Sequence, residues 1–308
     1  MRSTAALFAC ALACSSPPTP RATATRTPTL APTPTPTPTP PAEPPYDLAA
    51  DRARIVSRAQ DELGERTRTE IVQDVFVLVA PPGWNQRALA ASTSITKDAL
   101  DAYFHDRFET PPARALAVLL FPDETTYQAY CAAHLGGACD SPFGLYRPDL
   151  RAIVMNAGSG LGTLTHELVH PIVEADFPRA PTWINEGIAS LFEAPVFPRK
   201  GEVHGVKNWR LPRLLAGMRS PNERDFARLD ALFGTSDETF RGAREKLYYA
   251  TARYVCQWLD ERGWLWPFYR AYKAGFASDP TGRASFTRVT GMTPEDANAK
   301  WAVWVNRL

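Results

Sequence analysis

Apolar and polar residues follow two different periods along this chain, and the balance between the periods changes near residue 160. Alternation at every second position, with many β-branched residues, predicts strands at 71–80, 113–121 and 151–158. Apolar spacings of three and four residues predict helices around these strands, at 47–64, 85–108 and 124–136. The first half of the folded chain is therefore expected to be a small sheet with helices.

Beyond residue 160 the strand patterns nearly disappear. Helical spacing recurs at 164–176, 183–193, 245–262, 265–274 and 293–306. A stretch rich in Pro, Gly and Arg at 195–221 predicts an extended loop. Together these patterns predict an α+β fold with a small mixed sheet and helices at 46–160, followed by a mainly helical part at 161–308.

The N-terminus is typical of an exported protein. MRSTAALFACALACSS places an arginine before a short apolar stretch, which indicates a secretory signal at 1–14 that is too short to span a membrane. Ala11-Leu12-Ala13-Cys14 resembles a bacterial lipobox, in which the cysteine is lipidated and becomes the mature N-terminus, and Cys14 fits this better than Cys10. A plain secretory signal cut near Ala13 is the alternative. We predict a lipoprotein anchored at the outer membrane or the cell surface, or else a secreted protein.

A Thr-Pro repeat follows at 15–45. Because proline fixes φ and removes amide donors, this tract is expected to be an extended polyproline linker between the anchor and the folded part. The whole chain has 308 residues, with 34 basic and 33 acidic side chains. This balance argues against bulk attraction to nucleic acid, so we predict no nucleic-acid partner.

Three cysteines lie in the folded part. CAAHLGGAC brings Cys131 and Cys139 close enough in sequence for a disulfide, which an oxidising compartment would favour. Metal ligation by this pair is less favoured because no further Cys or His cluster completes a four-ligand set. Cys256 lies in an apolar helical run and is predicted to be a buried thiol.

The segment THELVHPIV, at 165–173, carries the most specific chemical pattern. His166 and His170 are four residues apart, so both can face one metal ion from the same side of a helix. Glu167 is rotated about 100° around the axis, where it lies beside the ion and can act as a base. Pro171 removes only the amide that would bond to the carbonyl of Glu167. We therefore predict regular first turns and a bend just past His170.

A third ligand is offered by APTWINEGIASLFE. Thr182 is a plausible N-cap, which places Glu186 in the first turns of a second helix with an apolar face. A buried glutamate requires a cation or another charged partner. The alternative is a first-turn glutamate favoured by the helix dipole alone. The short sequence distance between HELVH and Glu186 favours the interpretation of Glu186 as a metal ligand.

HELVH followed by WINEG resembles the gluzincins, the thermolysin-like zinc metallopeptidases, and especially their bacterial peptidase-MA-like branch. The resemblance implies a zincin-like fold in which the HExxH helix and a separate helix supply the ligands of Zn²⁺. By position, His166, His170 and Glu186 would be these ligands and Glu167 the general base. YATARYVCQWL matches a later helix of that branch from Tyr249 onward, so the resemblance covers about 151–259.

The same resemblance implies zinc-assisted hydrolysis of a peptide or protein substrate. Tyr249 is the preferred donor to the oxyanion, with Tyr248, Tyr254 and His204 as alternatives. His105 and His134 are interpreted as structural. The strand RAIVMNA is a candidate sheet edge for pairing with an extended substrate.

Two departures from the family pattern bear on these expectations. Where thermolysin-like enzymes often have an aspartate that orients the first histidine, this chain has Ser190; together with Asn185 it is a candidate for contact with the ligands. The G-x-M-E-N strand of the aminopeptidases is missing ahead of the helix. An endopeptidase is therefore favoured over an aminopeptidase.

Two other interpretations remain open at this stage. The chain can be a lipoprotein that keeps the fold as a binding or scaffold module without turnover. The intact Glu167 disfavours this, because such a module has no use for a base beside the metal. The chain can also be a secreted α/β domain in which HELVH is fortuitous.

Overall fold

A mixed sheet of five strands organises the first half of the part described by the computed structural model, residues 45–308. The strands are β1 Arg68–Val72, β2 Phe76–Ala80, β3 Leu116–Phe121, β4 Gly144–Arg147 and β5 Ala152–Asn156. Their order is β1-β2-β3-β5-β4; β2, β3 and β5 are parallel, and β1 and β4 are antiparallel edge strands. The predicted signal sequence, Cys14 and residues 15–44 of the linker lie outside the described residues.

Helices make up most of the remainder. In chain order they are α1 Leu48–Leu63, α2 Gln86–Tyr103, α3 Glu124–His134, α4 Leu161–Glu167, α5 Val169–Asp176, α6 Thr182–Leu191, α7 Leu211–Arg219, α8 Asp237–Phe240, α9 Glu245–Asp260, α10 Leu265–Gly275, α11 Arg283–Thr290 and α12 Pro294–Val305. The predicted α+β architecture with a helical second half is confirmed. Among the described helices, none has the length and apolarity that a membrane crossing requires.

The sheet is buried on both faces, and its central strands are apolar at every position except Asn156 at the end of β5. Val77 and Val79 of β2 face the layer that contains α1 and α3, whereas Phe76 and Leu78 face the larger core shared with α2 and the C-terminal helices. This is the usual composition of parallel strands covered on both sides. The residues from Tyr46 to Leu308 form one compact unit.

The first predicted strand is a hairpin instead. β1 and β2 pair antiparallel, and residues 73–75 form the turn, with Gln73 and Asp74 at positive φ of 46° and 58°. Asp tolerates this left-handed conformation better than most residues. The prediction of one strand at 71–80 was wrong because the polar Gln-Asp pair was counted as part of the alternation.

The predicted substrate edge also moves by one strand. β5, which contains RAIVMNA, lies between β3 and β4 and is not at the edge. The edge is β4, a four-residue strand that pattern analysis missed because it is short and only half buried. β5 leads through a short turn at Ala157–Ser159 directly into α4.

The predicted loop at 195–221 contains regular structure. Two short strands, β6 Pro195–Val196 and β7 His204–Gly205, pair antiparallel, and α7 follows. The buried guanidinium of Arg107 donates to the carbonyl oxygens of Gly201 and Val203, which fixes the loop between the two strands. Strands of two residues give too little alternation to be detected in a sequence.

The helix interruption at the HELVH segment lies earlier than predicted. It falls at Leu168, between the two histidines, although Leu168 keeps helical angles of φ −62° and ψ −24°. Pro171 is then the third residue of α5, where its missing amide costs nothing because first-turn amides have no partner within the helix. Within α4, the carbonyl oxygen of Thr165 accepts a hydrogen bond of 2.8 Å from the hydroxyl of Tyr103 in α2.

Close packing of α6 on α9 fixes the position of the second motif. A Cβ atom at Gly187 would lie 2.8 Å from Sγ of Cys256 and 3.1 Å from the carbonyl oxygen of Ala252. Only glycine permits this approach without a shift of one helix. Cys256 is buried, as expected, and is the free cysteine of the described chain.

A disulfide joins Cys131 at the C-terminal end of α3 to Cys139 in the segment that leads to β4. Two further contacts reinforce this connection. Gln128 bonds to the backbone of Cys139 through both ends of its amide, and the hydroxyl of Tyr127 donates to the carbonyl of Ser141. These contacts therefore attach the segment just before the edge strand β4 to helix α3.

Candidate metal centre

Three helices bring the predicted ligands together. α4 and α5 carry His166, Glu167 and His170, and α6 carries Glu186. Gly162 lets α4 approach the end of α6, because any side chain there would overlap the carbonyl oxygen of Glu193.

The prediction of Thr182 as the N-cap of α6 was wrong. Pro181 occupies that position, and the Thr182 hydroxyl bonds to Asp237.

The ligand atoms of His166, His170 and Glu186 all lie within 4.8 Å of one another. Oε2 of Glu186 is 3.6 Å from Nε2 of His166 and 3.9 Å from Nε2 of His170. The carboxylate of Glu167 is adjacent, with its Oε2 3.9 Å from Nε2 of His170. A tetrahedral zinc site has ligand atoms about 3.4 Å apart, so the observed spacing is close to what such an ion requires.

The far nitrogens of the two rings face oxygen atoms. Nδ1 of His170 lies 3.0 Å from Oδ1 of Asn185, and Nδ1 of His166 lies 3.4 Å from Oε1 of Glu193. Oδ1 of Asn185 lies within hydrogen-bond distance and favours the tautomer of His170 with the hydrogen on Nδ1, whereas Nδ1 of His166 has an ion-pair contact with Glu193 and no hydrogen bond among the described residues. In that tautomer His170 presents the lone pair of Nε2 toward Glu186.

The residue opposite His166 is Glu193 and not Ser190. The hydroxyl of Ser190 is buried and has no hydrogen-bond partner among the described residues. Glu193 is seven residues beyond Glu186, which is two helical turns and places it on the same side of α6 just past the helix end. Of the two residues predicted to contact the ligands, Asn185 lies against His170, whereas the hydroxyl of Ser190 makes no hydrogen bond to either histidine.

Glu193 is itself held in place by charge. Arg210 binds it through two parallel contacts of 2.7 and 2.5 Å, and the amide of Asn208 donates to it at 3.0 Å. Burial opposes ionisation of this carboxyl, but Arg210 and His166 outweigh burial and lower the pKa of Glu193 to about 2. The side chain opposite Nδ1 of His166 is thus a carboxylate at all ordinary pH values.

Arg241 contacts the third ligand from the opposite side. Its Nη2 lies 2.8 Å from Oε1 of Glu186, and its Nη1 lies 3.3 Å from the hydroxyl of Tyr249. Burial raises the pKa of the Glu186 carboxyl, but His170, His166 and Arg241 outweigh it, so that the pKa is lowered overall. The two oxygens of Glu186 therefore have different roles, one toward Arg241 and one toward the histidines.

Of the candidate oxyanion donors, Tyr249 is the one that contacts this cluster. Tyr248 is buried and stacks on Phe240, and the hydroxyl of Tyr254 accepts from the backbone amide of Asn208. His204 lies in β7, between Glu202 and Asp260 at 3.0 Å each. The structural interpretation of two further histidines is consistent with their places: His134 stacks on a tyrosine, and His105 is exposed.

Burial and charge set the protonation of the cluster. Burial is the main cause of a raised pKa for the Glu167 carboxyl. For His166, burial lowers the pKa, but Glu193, Glu167 and Glu186 outweigh it and raise the value to about 9. The two buried carboxylates of Glu167 and Glu186 and the partly buried one of Glu193 thus attract positive charge to the ring nitrogens, as a site for a cation would.

The residues present fit a divalent cation. Oε2 of Glu186 is buried without a hydrogen-bond partner, although it points toward two imidazole nitrogens. A buried carboxylate oxygen left in this way is costly unless a cation or proton occupies the space beside it. Two imidazoles and one carboxylate are also the donor set that zinc takes in hydrolytic sites.

Sequence patterns missed Glu193, Arg210 and Arg241. For Glu193 a signal existed, since its spacing of seven from Glu186 predicts the same helix face. For Arg210 and Arg241 no local signal exists, because they lie 44 and 75 positions beyond His166 in segments of irregular structure. Comparison of the sequence with protein-family models and with curated proteins gives no match.

Proposed function

We propose that this chain is a zinc-dependent peptidase of zincin-like fold, similar to the gluzincins, with an endopeptidase favoured over an aminopeptidase. The observation that carries the proposal is the convergence of His166, His170 and Glu186 within 4.8 Å, with the carboxylate of Glu167 beside them. A zinc ion held by these residues would supply a Lewis acid for a peptide carbonyl and lower the pKa of water.

The chain's own residues would manage the protons. Oε2 of Glu167 would accept a proton from the attacking water and later give it to the leaving amine. Its burial supports this role, because burial raises the pKa of a carboxyl toward the range where it can both accept and donate. Asn185 and Glu193 would keep the two histidine rings oriented while this happens.

Tyr249 would stabilise the charge that develops on the substrate oxygen. The Tyr249 hydroxyl accepts from Nη1 of Arg241 at 3.3 Å and also bonds to the Glu186 carboxylate, from which it would turn to the substrate oxygen. A positive charge beside the phenol strengthens it as a donor. Tyr249 therefore takes the position of oxyanion donor in this proposal.

The edge strand β4 would bind an extended substrate by backbone pairing. It pairs with β5 on one side only, and Gly144 in β4 lies against Thr163 of α4, three residues before His166. A peptide added alongside β4 would continue the sheet next to the helix that carries the cluster. Export and N-terminal lipidation at Cys14 are also part of the proposal, on the sequence pattern described above.

Purified protein tests the proposal in two steps. We expect about one zinc per chain, and hydrolysis of a mixed peptide library that a chelator abolishes. Glu167→Gln should keep the zinc and lose at least a hundredfold in rate, because it removes the base without removing a ligand. His166→Ala should lose both.

The results separate the alternatives. Zinc retained without hydrolysis would favour a scaffold module, and absence of zinc from metal-replete protein would reject any zinc-dependent function. Hydrolysis that is unchanged in Glu167→Gln would exclude the assigned base. His204→Ala is the matched control, since this histidine lies between two carboxylates away from the ligands and should change neither zinc content nor rate.

A further inference from the structure

Arg241 lies at the outer side of the cluster with half of its side chain in solvent. The side chain is 53 % exposed, whereas that of Glu186, to which it bonds, is 6 % exposed. The side chain therefore contacts the buried Glu186 with its guanidinium, while about half of its surface stays open to solvent. An arginine that served only to neutralise Glu186 would not need this open side.

The open side has hydrogen-bond donors to offer. A guanidinium carries five N–H groups, and Arg241 directs one toward Glu186 and one toward Tyr249. The remaining groups are arranged in the planar fork that matches the two oxygens of a carboxylate. A point charge such as lysine would not offer this geometry.

Charge favours an anion at the same place. Glu193 is already neutralised by Arg210, and Glu186 is the carboxylate in contact with Arg241. A cation held by the histidines and Glu186 would take up the charge of Glu186. Arg241 would then carry a positive charge without a neutralising partner at the edge of the site.

The location limits which anion can reach it. The guanidinium is 2.8 Å from Glu186, and the other oxygen of Glu186 is 3.6 Å from His166. Because both contacts end on the one carboxylate group of Glu186, the guanidinium and the His166 ring lie within about three residues of extended chain of each other. A carboxylate bound to Arg241 therefore belongs to the substrate residue beside the bond that is cut, or to the next one.

We propose that Arg241 binds a substrate carboxylate and so makes this site selective for peptides with a negative charge next to the cleaved bond. The proposal rests on the peptidase function above. The carboxylate comes either from the C-terminus of the peptide or from an Asp or Glu side chain. Both sources present the same two oxygens, so the experiment must distinguish them.

Two matched pairs of peptides distinguish the two sources of the carboxylate. Both pairs are built on a sequence from the library that the protein cleaves. One pair differs only in a free C-terminal carboxylate or an amide, and the other, blocked at both ends, has Glu or Gln beside the cut. We expect kcat/KM to favour the charged member of one pair by about tenfold or more, as a two-contact ion pair would give. The pair that responds identifies the source.

In Arg241→Gln, the ratio of kcat/KM for the charged peptide to kcat/KM for the neutral peptide should fall to within about twofold of one. This expectation holds even if both absolute rates change. Arg244→Gln is the control, because its guanidinium lies over Phe226 and its loss removes the same charge three residues away. The ratio should survive in that variant. Equal rates for charged and neutral peptides in the wild type, or a preference that persists in Arg241→Gln, would overturn the proposal while leaving the peptidase intact.

Equilibrium binding of the same peptides to zinc-loaded Glu167→Gln protein gives a second readout that needs no turnover. Tighter binding of the charged peptide, lost when Arg241→Gln is added, supports the carboxylate site. If no peptide in the library is hydrolysed, the proposed function fails, and the matched pairs are then built on a library peptide that the zinc-loaded protein binds. Equal binding of both members, or no binding, rejects it.

Discussion

At the scale of single residues, the contact between His166 and Glu193 has the clearest consequence for metal binding. A carboxylate opposite Nδ1 fixes the ring tautomer and increases the basicity of Nε2. Glu193 lies 3.4 Å from that nitrogen and is held by Arg210. His166 lies in α4 and Glu193 just past the end of α6, so this contact depends on how α4 and α6 pack.

Glu193→Gln should weaken zinc binding by about 10- to 100-fold, because the amide supports the ring less well than the carboxylate. Competition against a chelator of known affinity measures this. The variant also disturbs the buried pair with Arg210, so thermal unfolding must show that the metal-free protein is still folded at the assay temperature.

Ser190→Ala is the matched control for Glu193→Gln. Its hydroxyl has no partner among the described residues, so zinc affinity should be unchanged. A loss in the serine variant equal to that in the glutamine variant would mean that Glu193 does not act through His166.

The sequence was sufficient for the residues that lie close together along the chain. HELVH places His166, Glu167 and His170 by spacing alone, and the short distance to WINEG pointed to Glu186. It was insufficient for Arg241, which meets Glu186 only because the segment after α8 folds over α6. Contacts between segments of irregular structure leave no period to detect.

At the scale of elements, the packing of α6 on α9 positions Glu186 relative to Tyr249. Gly187 follows the ligand directly, and its position faces Cys256 and Ala252 of α9. A larger side chain at position 187 would push α6 and α9 apart, and Glu186 and Tyr249 would move with them. This glycine therefore bears on the site although it has no side chain of its own.

Gly187→Ala should lower the free energy of unfolding by about 1–3 kcal/mol, because the new Cβ would lie 2.8 Å from Sγ of Cys256. Adding Cys256→Ala removes that sulfur. Urea unfolding should then show the double variant to be more stable than the sum of the two single changes predicts. Simple additivity would indicate that the sulfur contact is not the source of the effect.

Most helices were predictable because their apolar spacing is long and regular. Strands β4, β6 and β7 were not, since two to four residues give no usable alternation and their pairing depends on distant partners. The hairpin of β1 and β2 was missed for a related reason, because a turn of three residues with positive φ interrupts the pattern only briefly.

At the scale of the whole molecule, Asp51 connects the beginning of the folded chain to the sheet. It accepts two contacts from Arg151, which precedes β5, and Arg151 also donates to the carbonyl of Ala115 before β3. The Arg151 guanidinium is the main reason that the pKa of Asp51 is held well below its usual range. A lowered pKa stabilises the fold above the unfolded-state value of about 3.9 and stops doing so as pH falls through the folded-state value.

Asp51→Asn should therefore cost about 2 kcal/mol at pH 7, and the difference from wild type should shrink below about pH 4. Urea unfolding at pH 7 and pH 3 measures it. Asp74→Asn is the control, since Asp74 is 83 % exposed and its pair with Arg52 should contribute less than about 1 kcal/mol. If the difference in unfolding free energy between Asp51→Asn and the wild type were the same at both pH values, ionisation of Asp51 would not be its cause.

The disulfide between Cys131 and Cys139 also affects how the protein is best produced. The bond attaches α3 to the segment just before β4, so the strand proposed to receive the substrate is held in part by a covalent link. In a reducing cytosol this link would not persist. If the protein has the proposed function, material made there could bind zinc through α4, α5 and α6 and still have a loosened β4. Metal content alone would then overstate the fraction able to bind substrate, so expression with export to an oxidising compartment is the better starting point.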